Sequence, residues 1–265
     1  DTCGTGGDHS GPFNISTTAA FVAAGAGATV AKHGNRAMSG VCGSADLLEG
    51  LGVAIELDGN GVAHCLRQAG IGFMFAPSFH PSMRYAGPVR RDIGIRTAFN
   101  ILGPLTNPAR ASHQVLGVAD AALAEKLAHA LARLGTTHAL VVHGHGGLDE
   151  LALDGTNVIY DVRGDGSVTR TEMSAHELGL RPAPREAVLG GNREVNVAIT
   201  RAILQGEESG PPADIVLLNS AAALVAADKA DNLHDGLELA RHSLHSGAAY
   251  NRLERMIVAS REMAR

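Results

Sequence analysis

Short apolar runs at residues 29–31, 71–75, 114–118 and 138–142 alternate with stretches of helical length and patterning at 17–26, 44–51, 62–69 and 121–134. A strand that returns to its sheet by way of a helix lies parallel to the strand before it. The alternation therefore predicts an α/β fold, a mostly parallel central sheet with flanking helices. Ligands bind such sheets beyond the carboxyl ends of the strands. Residues 53–57 are predicted as a further short strand, and 158–162 with 167–171 as a hairpin turning at Asp165-Gly166. Helices at about 193–206, 211–227, 232–246 and 248–263, each apolar on one face, complete the chain. The texture changes at Pro77, where Pro77, Pro81, Pro88, Pro104 and Pro108 punctuate a basic stretch containing Arg84, Arg90, Arg91 and Arg96. Residues 77–103 are accordingly expected to leave the sheet as an inserted helical piece, with 1–76 and 104–265 forming the α/β body.

Composition narrows the function. A net charge of -5 argues against a general nucleic-acid or anionic-membrane surface, and no apolar run reaches membrane-spanning length. Cys3, Cys42 and Cys65 are an odd, unspaced set, which favours a reduced cytoplasmic setting over a disulfide framework. The chain opens inside what reads as a strand entering a glycine loop, so further sequence is expected upstream.

The chemistry concentrates where strands should end. Gly4-Thr-Gly-Gly-Asp8 lets the backbone approach a ligand closely and offers its amides to an anion, while its spacing matches neither the Walker loop nor the dinucleotide fingerprint. Asn14-Ile15-Ser16-Thr17 predicts a helix starting at Ser16 or Thr17, with its free amides and positive dipole end aimed at whatever the loop holds. Strand 29–31 is expected to end at Lys32, placing Lys32-His33-Gly34-Asn35-Arg36 in a loop. There Lys32 offers a point charge to phosphate, and Asn35 both donates and accepts.

Asp149-Glu150 supplies two adjacent carboxylates, suited to Mg²⁺ shared with phosphate oxygens; taken in isolation the pair fits the acidic first turn of a helix better. His143 and His145 lack a matched third ligand and read as loop histidines. The arginines of 77–103, with His80, suit a carboxylate on a second substrate, although a solvated helix face explains some of them.

Taken together and in order, Gly4-Thr-Gly-Gly-Asp8, Asn14-Ile-Ser-Thr17, Lys32-His-Gly-Asn-Arg36, Gly43-Ser-Ala-Asp46, Pro88-Val-Arg-Arg91, the run from Arg96 to Pro108, Leu148-Asp-Glu150 and Val216-Leu-Leu-Asn219 resemble the anthranilate phosphoribosyltransferase family of tryptophan biosynthesis. The resemblance implies a nucleoside phosphorylase/phosphoribosyltransferase-like fold with a small helical domain, here incomplete, a cytoplasmic homodimer, and Mg²⁺, two ions with the pyrophosphate. It implies that Gly4, Gly7, Asp8, Asn14, Ile15, Ser16, Thr17, Lys32, Gly34, Arg36, Ser39, Gly40 and Ser44 hold phosphoribosyl pyrophosphate. Ser16, Asp149 and Glu150 would hold metal. Asn35 and Arg90, with His33 and His80 nearby, would receive anthranilate, and Lys32, Asn35 and Arg90 would carry the catalysis. Pro12 stands where the family usually has a hydroxyl residue, one donor contact fewer. A pyrimidine nucleoside phosphorylase would need a lysine-bearing phosphate motif that this chain lacks. A nucleic-acid-binding paralogue would need a basic groove and no Asn35–Arg90 acceptor set. An inactive fragment is the remaining alternative.

Overall fold

The computed structural model describes residues 1–6, 11–37, 41–83, 85 and 99–264. Its main sheet has strand order β1-β4-β5-β6-β7, formed by β1 (Thr2–Gly4), β4 (His113–Gly117), β5 (His138–His143), β6 (Asn157–Arg163) and β7 (Val168–Met173). Strands β1, β4 and β5 run parallel, and β6 and β7 add antiparallel at one edge as the hairpin expected around Asp165-Gly166. Strands β2 (Val30–Gly34) and β3 (Ile71–Phe75) form a separate parallel pair, with Lys32 opposite Phe73. Strands β3, β4 and β5 bury nearly every residue, as strands covered on both faces must, whereas β7 is largely exposed.

The longer helices are α1 (Ile15–Gly25), α2 (Ser44–Leu51), α3 (Gly59–Ala69), α4 (Ala121–Arg133), α5 (Arg193–Leu204), α6 (Pro211–Ala226), α7 (Leu233–His245) and α8 (Ala248–Met263). Helices α1 and α6 lie against each other at the centre of the molecule. Every residue of α6 from Ile215 to Ala226 is buried, so this helix is apolar all round and not on one face as the sequence pattern indicated. Buried hydroxyls there are absorbed by backbone carbonyls: Ser220 donates to Val216 O at 2.6 Å and Ser243 to Val22 O at 2.8 Å.

Two local predictions fail for identifiable reasons. Residues 53–57 are no strand; Val53, Ile55 and Leu57 point inward with a strand's alternation, but the amide between the first two, at Ala54, donates to Ser260 Oγ of α8 at 3.0 Å instead of to a neighbouring strand. Strand β2 starts at Val30 and runs through Lys32 and His33 to Gly34, because pairing with β3 continues that far. Lys32 and His33 thus sit on a strand and are buried, not on a loop.

Strands β1 and β2 are joined by side chains. The Asp1 carboxylate accepts from the His33 amide at 3.2 Å and from Asn107 Nδ2 at 2.8 Å, and the same Asn107 group donates to Ala31 O at 2.9 Å. The start of β1 is thereby locked beside β2.

Helix α1 threads the core because its last residue is glycine. A β-carbon on Gly25 would lie 2.2 Å from Ser243 Oγ and 2.7 Å from the Ala249 amide nitrogen. Gly25→Ala, ordinarily favourable in a helix, should therefore destabilise by about 1–3 kcal/mol, the usual cost of overpacking. Urea unfolding with a midpoint at or above that of the wild type would contradict this packing.

Candidate active site

The carboxyl ends of β1, β4 and β5 converge on the amino end of α1. Asn14 precedes α1, and the helix begins at Ile15, slightly earlier than the Ser16 or Thr17 start read from the hydroxyl pattern. No side chain of Asn14 caps it. Instead the Ser16 amide donates to Glu150 Oε1 at 3.1 Å, so a carboxylate from a segment far along the chain occupies the positive end of the helix. Ile15 and Thr17 point into the core and offer a ligand only backbone.

Asp149 completes the same wall. Its Oδ2 accepts from the Gly6 amide at 2.7 Å, tying the glycine loop after β1 to the loop after β5. This approach needs glycines: a β-carbon on Gly4 would lie 2.2 Å from Asp149 Oδ2, and one on Gly117 would lie 1.6 Å from Asp149 O. Gly117 was not singled out in the sequence, where a glycine ending a strand looks like any other; its role exists only once Asp149 is beside it. No helix follows Asp149-Glu150, which removes the helix-start reading of that pair. His143 ends β5 and meets Val118 O through Nδ1 at 2.7 Å, in keeping with a structural histidine.

Lys32 lies beneath this wall. Its ammonium is bonded to Thr2 O, with Thr2 Oγ1 at 3.3 Å and Ser16 Oγ at 3.4 Å. Burial lowers the Lys32 pKa, against the opposing fields of Cys3 and Glu150, and burial raises that of Glu150, reinforced by Asp149. A buried lysine and a half-buried glutamate therefore meet at Ser16.

The remaining predicted residues divide by what they touch. Asn14 is held from both sides: its Nδ2 donates to Cys42 O at 3.0 Å and its Oδ1 accepts from Asn196 Nδ2 at 2.9 Å. Asn196, on α5 and buried, also accepts from the Gly191 amide at 2.8 Å. The stretch before α5 further grips the 11–14 turn: Phe13 donates to Val188 O, Gly190 to Gly11 O, and Pro12 pairs with Leu189. Sequence reasoning missed this support, and its one available signal was Asn196 among apolar neighbours.

Gly34 packs against Ser44, whose hydroxyl donates to Asn35 O at 3.3 Å, while Asn35 Oδ1 accepts from the Arg36 amide at 2.8 Å. Arg36 spends its guanidinium on Asp46 and Glu49 and stacks over Phe75. That makes it a brace between β2 and α2. His33 and His80 meet edge to face with ring centroids 5.0 Å apart, and burial, aided by His80, pushes the His33 pKa down to about 4. Gly7, Asp8, Ser39, Gly40 and Arg90, with Arg84, Arg91 and Arg96, lie outside the described residues.

Asp149, Glu150 and the Ser16 hydroxyl are hard oxygen donors of the kind Mg²⁺ accepts, with substrate oxygens and water filling the rest of its shell. Among the described residues no three His, Cys, Asp or Glu side chains gather as a protein-only metal cage would require. The Glu150 carboxyl, its pKa pushed up by its surroundings, is what a bound cation would return to its ionised form. The residues present fit the ion.

Residues 1–250 match the model described as glycosyl transferase family, a/b domain. The chain is 70% identical to the anthranilate phosphoribosyltransferase of Roseiflexus sp. (strain RS-1) over 261 residues, 98% of this chain and 76% of that protein. It superposes with a TM-score of 0.93 and 49% identity on the crystal structure of anthranilate phosphoribosyltransferase from Thermus thermophilus, covering 98% of this chain and 77% of that one. The enzyme from Saccharomyces cerevisiae in complex with PRPP and Mg matches with a TM-score of 0.90 and 30% identity, over 99% of this chain and 73% of that one.

The Asp46 carboxylate, which receives the amides of Ala37 at 3.0 Å and Gly43 at 2.9 Å, closes the loop between β2 and α2. Burial pushes its pKa up, but those amides and Arg36 outweigh burial and hold it below the ordinary 3.8. A group depressed in the folded state stabilises fully above its unfolded pKa and loses that contribution as pH falls through the folded value. Asp46→Asn should lower Tm by about 2–4 °C at neutral pH, and differential scanning calorimetry should show this gap closing below about pH 4. A gap that persists unchanged into acid would mean that the charge is not what holds the loop.

Proposed function

Since this chain belongs to the anthranilate phosphoribosyltransferase family, we propose how its own residues divide the work of that reaction. The enzyme transfers the phosphoribosyl group of phosphoribosyl pyrophosphate to anthranilate, giving N-(5-phosphoribosyl)anthranilate and pyrophosphate, in tryptophan biosynthesis. In this step the bond from the anomeric carbon to pyrophosphate breaks, a bond to the aromatic amine forms, and the amine loses a proton. Positive charge grows on the ribose ring while negative charge grows on the leaving group.

The observation that carries the assignment is the closure of Asp149 and Glu150 onto the Gly6 and Ser16 amides, which puts acid, amide and hydroxyl groups on one wall. The backbone of Gly4, Gly7 and Asp8 and the 14–17 turn, with Lys32, Ser39, Gly40 and Ser44, hold the donor. Mg²⁺, when bound, neutralises the pyrophosphate oxygens and so favours their departure. Asp149, Glu150 and Ser16 hold it; two carboxylates and a hydroxyl suit a pair of ions shared with the pyrophosphate. Lys32 supports the same charge from behind Ser16, as a preoriented cation in a site that excludes water.

Arg90 and Asn35 receive the carboxylate and amine of anthranilate, beside the His33–His80 pair. At neutral pH His33 is uncharged, given its pKa of about 4, and so adds no cation to compete with Arg90 for the acid. Positioning supplies the rest of the rate, because the amine must lie in line with the departing oxygen. Residues 77–103, which carry Arg90, act as the helical excursion that brings the acceptor side to the α/β body at 1–76 and 104–265. Family membership supports a homodimer, and the three free thiols agree with a reducing cytoplasm. Among the described residues no helix is long and apolar enough to cross a membrane.

Loss of anthranilate fluorescence on mixing protein, Mg²⁺, phosphoribosyl pyrophosphate and anthranilate reads this reaction directly. The double change Asp149→Asn with Glu150→Gln should reduce turnover about a hundredfold or more, the scale of removing a preorganised electrostatic group. An unaltered Mg²⁺ dependence in that variant would refute the metal assignment. Arg90→Ala should raise the KM for anthranilate well above any change for the donor; equal effects on both substrates would place Arg90 elsewhere.

A further inference from the structure

What fixes the Asp149-Glu150 wall is visible in the two residues that follow it. Leu151 and Ala152 belong to no helix or strand and are buried, so no ladder and no solvent satisfies their backbone. Two side-chain amides do so instead. Leu151 donates its N–H to Asn219 Oδ1 at 2.9 Å, and its carbonyl accepts from Asn219 Nδ2 at 3.0 Å. Ala152 donates to Asn157 Oδ1 at 2.7 Å, and its carbonyl accepts from Asn157 Nδ2 at 3.0 Å. Each asparagine thus acts as a one-residue β-partner.

Both asparagines are buried, and both stand on rigid elements. Asn219 lies within the apolar helix α6 and sends its amide also to Ile215 O at 2.9 Å; Asn157 opens β6. A side-chain amide so committed has one orientation, since turning it would leave several buried groups unpaired at about 1–3 kcal/mol each. The backbone just before Leu151 and Ala152 is confined by glycines. A β-carbon on Gly117 would meet Asp149 O, and one on Gly144 would lie 2.1 Å from Glu150 O. The acidic pair therefore runs along glycine backbone into two residues held by asparagine amides.

We propose that Asn219 and Asn157 are positioning residues for the metal-binding carboxylates: their paired hydrogen bonds to Leu151 and Ala152 set the direction of the backbone leaving Glu150, and with it the placement of both acids before metal arrives. The proposal rests on the assignment of Asp149 and Glu150 as metal ligands. It also gives Asn219, at the end of the Val216-Leu-Leu-Asn219 run, a role outside its own helix.

The test measures Mn²⁺ affinity by electron paramagnetic resonance, with pyrophosphate present, on the whole chain. Asn219→Leu should weaken Mn²⁺ about 10- to 100-fold, the usual effect of losing a group that orients a ligand. Ser220→Ala, one residue along the same buried helix, should leave the affinity unchanged. The Asp149→Asn, Glu150→Gln protein should lose Mn²⁺ altogether. If it keeps Mn²⁺, the metal assignment falls and the clamp falls with it. If it loses Mn²⁺ while a folded Asn219→Leu binds normally, the clamp alone is wrong. Equal weakening by Ser220→Ala would reduce the effect to general loosening and overturn the clamp as well. Hydrogen exchange of the unaltered protein needs no variant: the Leu151 and Ala152 amides should be protected before Mg²⁺ and pyrophosphate are added. Protection that appears only with those ligands would overturn prior positioning.

Discussion

A carboxylate held at a helix N-terminus inside a protein must be brought there by backbone that can come close enough, and the contact between Glu150 and the Ser16 amide meets that requirement. Gly4, Gly117 and Gly144 leave the space through which residues 149–150 pass, and any side chain at these three positions would collide with the acidic pair or its backbone. The remaining features of the site follow from this closure. Lys32 reaches Ser16 from below, Gly6 is drawn to Asp149, and α1 presents its amino end at the same wall.

The closure is stable because each strand end is tied to its neighbours by side chains. Asp1 and Asn107 join β1 to β2 where the backbone ladders belong to two different sheets. The residues before α5 and Asn196 within it hold the 11–14 turn from outside. Of these groups Asn196 stands on a regular element, α5, and is buried. A preorganised charge array stabilises developing charge without having to reorient during reaction.

Burial also separates roles within one short run. In 32–36, Lys32 is drawn under the wall, His33 is held neutral beside His80, and Arg36 turns away to brace α2 through Asp46 and Glu49. Adjacent residues point to opposite faces of a strand, so a run that reads as one cationic loop is split between cleft, core and surface.

The sequence by itself determined the alternation of strands and helices, the hairpin and most helix boundaries. Those signals are local: apolar period, turn residues and caps act within a few positions of where they are read. It also carried the family resemblance, in motifs that stayed in order along the chain. Tertiary structure alone decided which side of each strand faced the cleft, where β2 ended, and that residues 53–57 would find Ser260 instead of a strand. It alone brought Asp149 to Gly6 and Asn219 to Leu151. Such pairings join groups distant in sequence through hydrogen bonds that leave no periodic trace, and they form only when the packed core has set both partners in place.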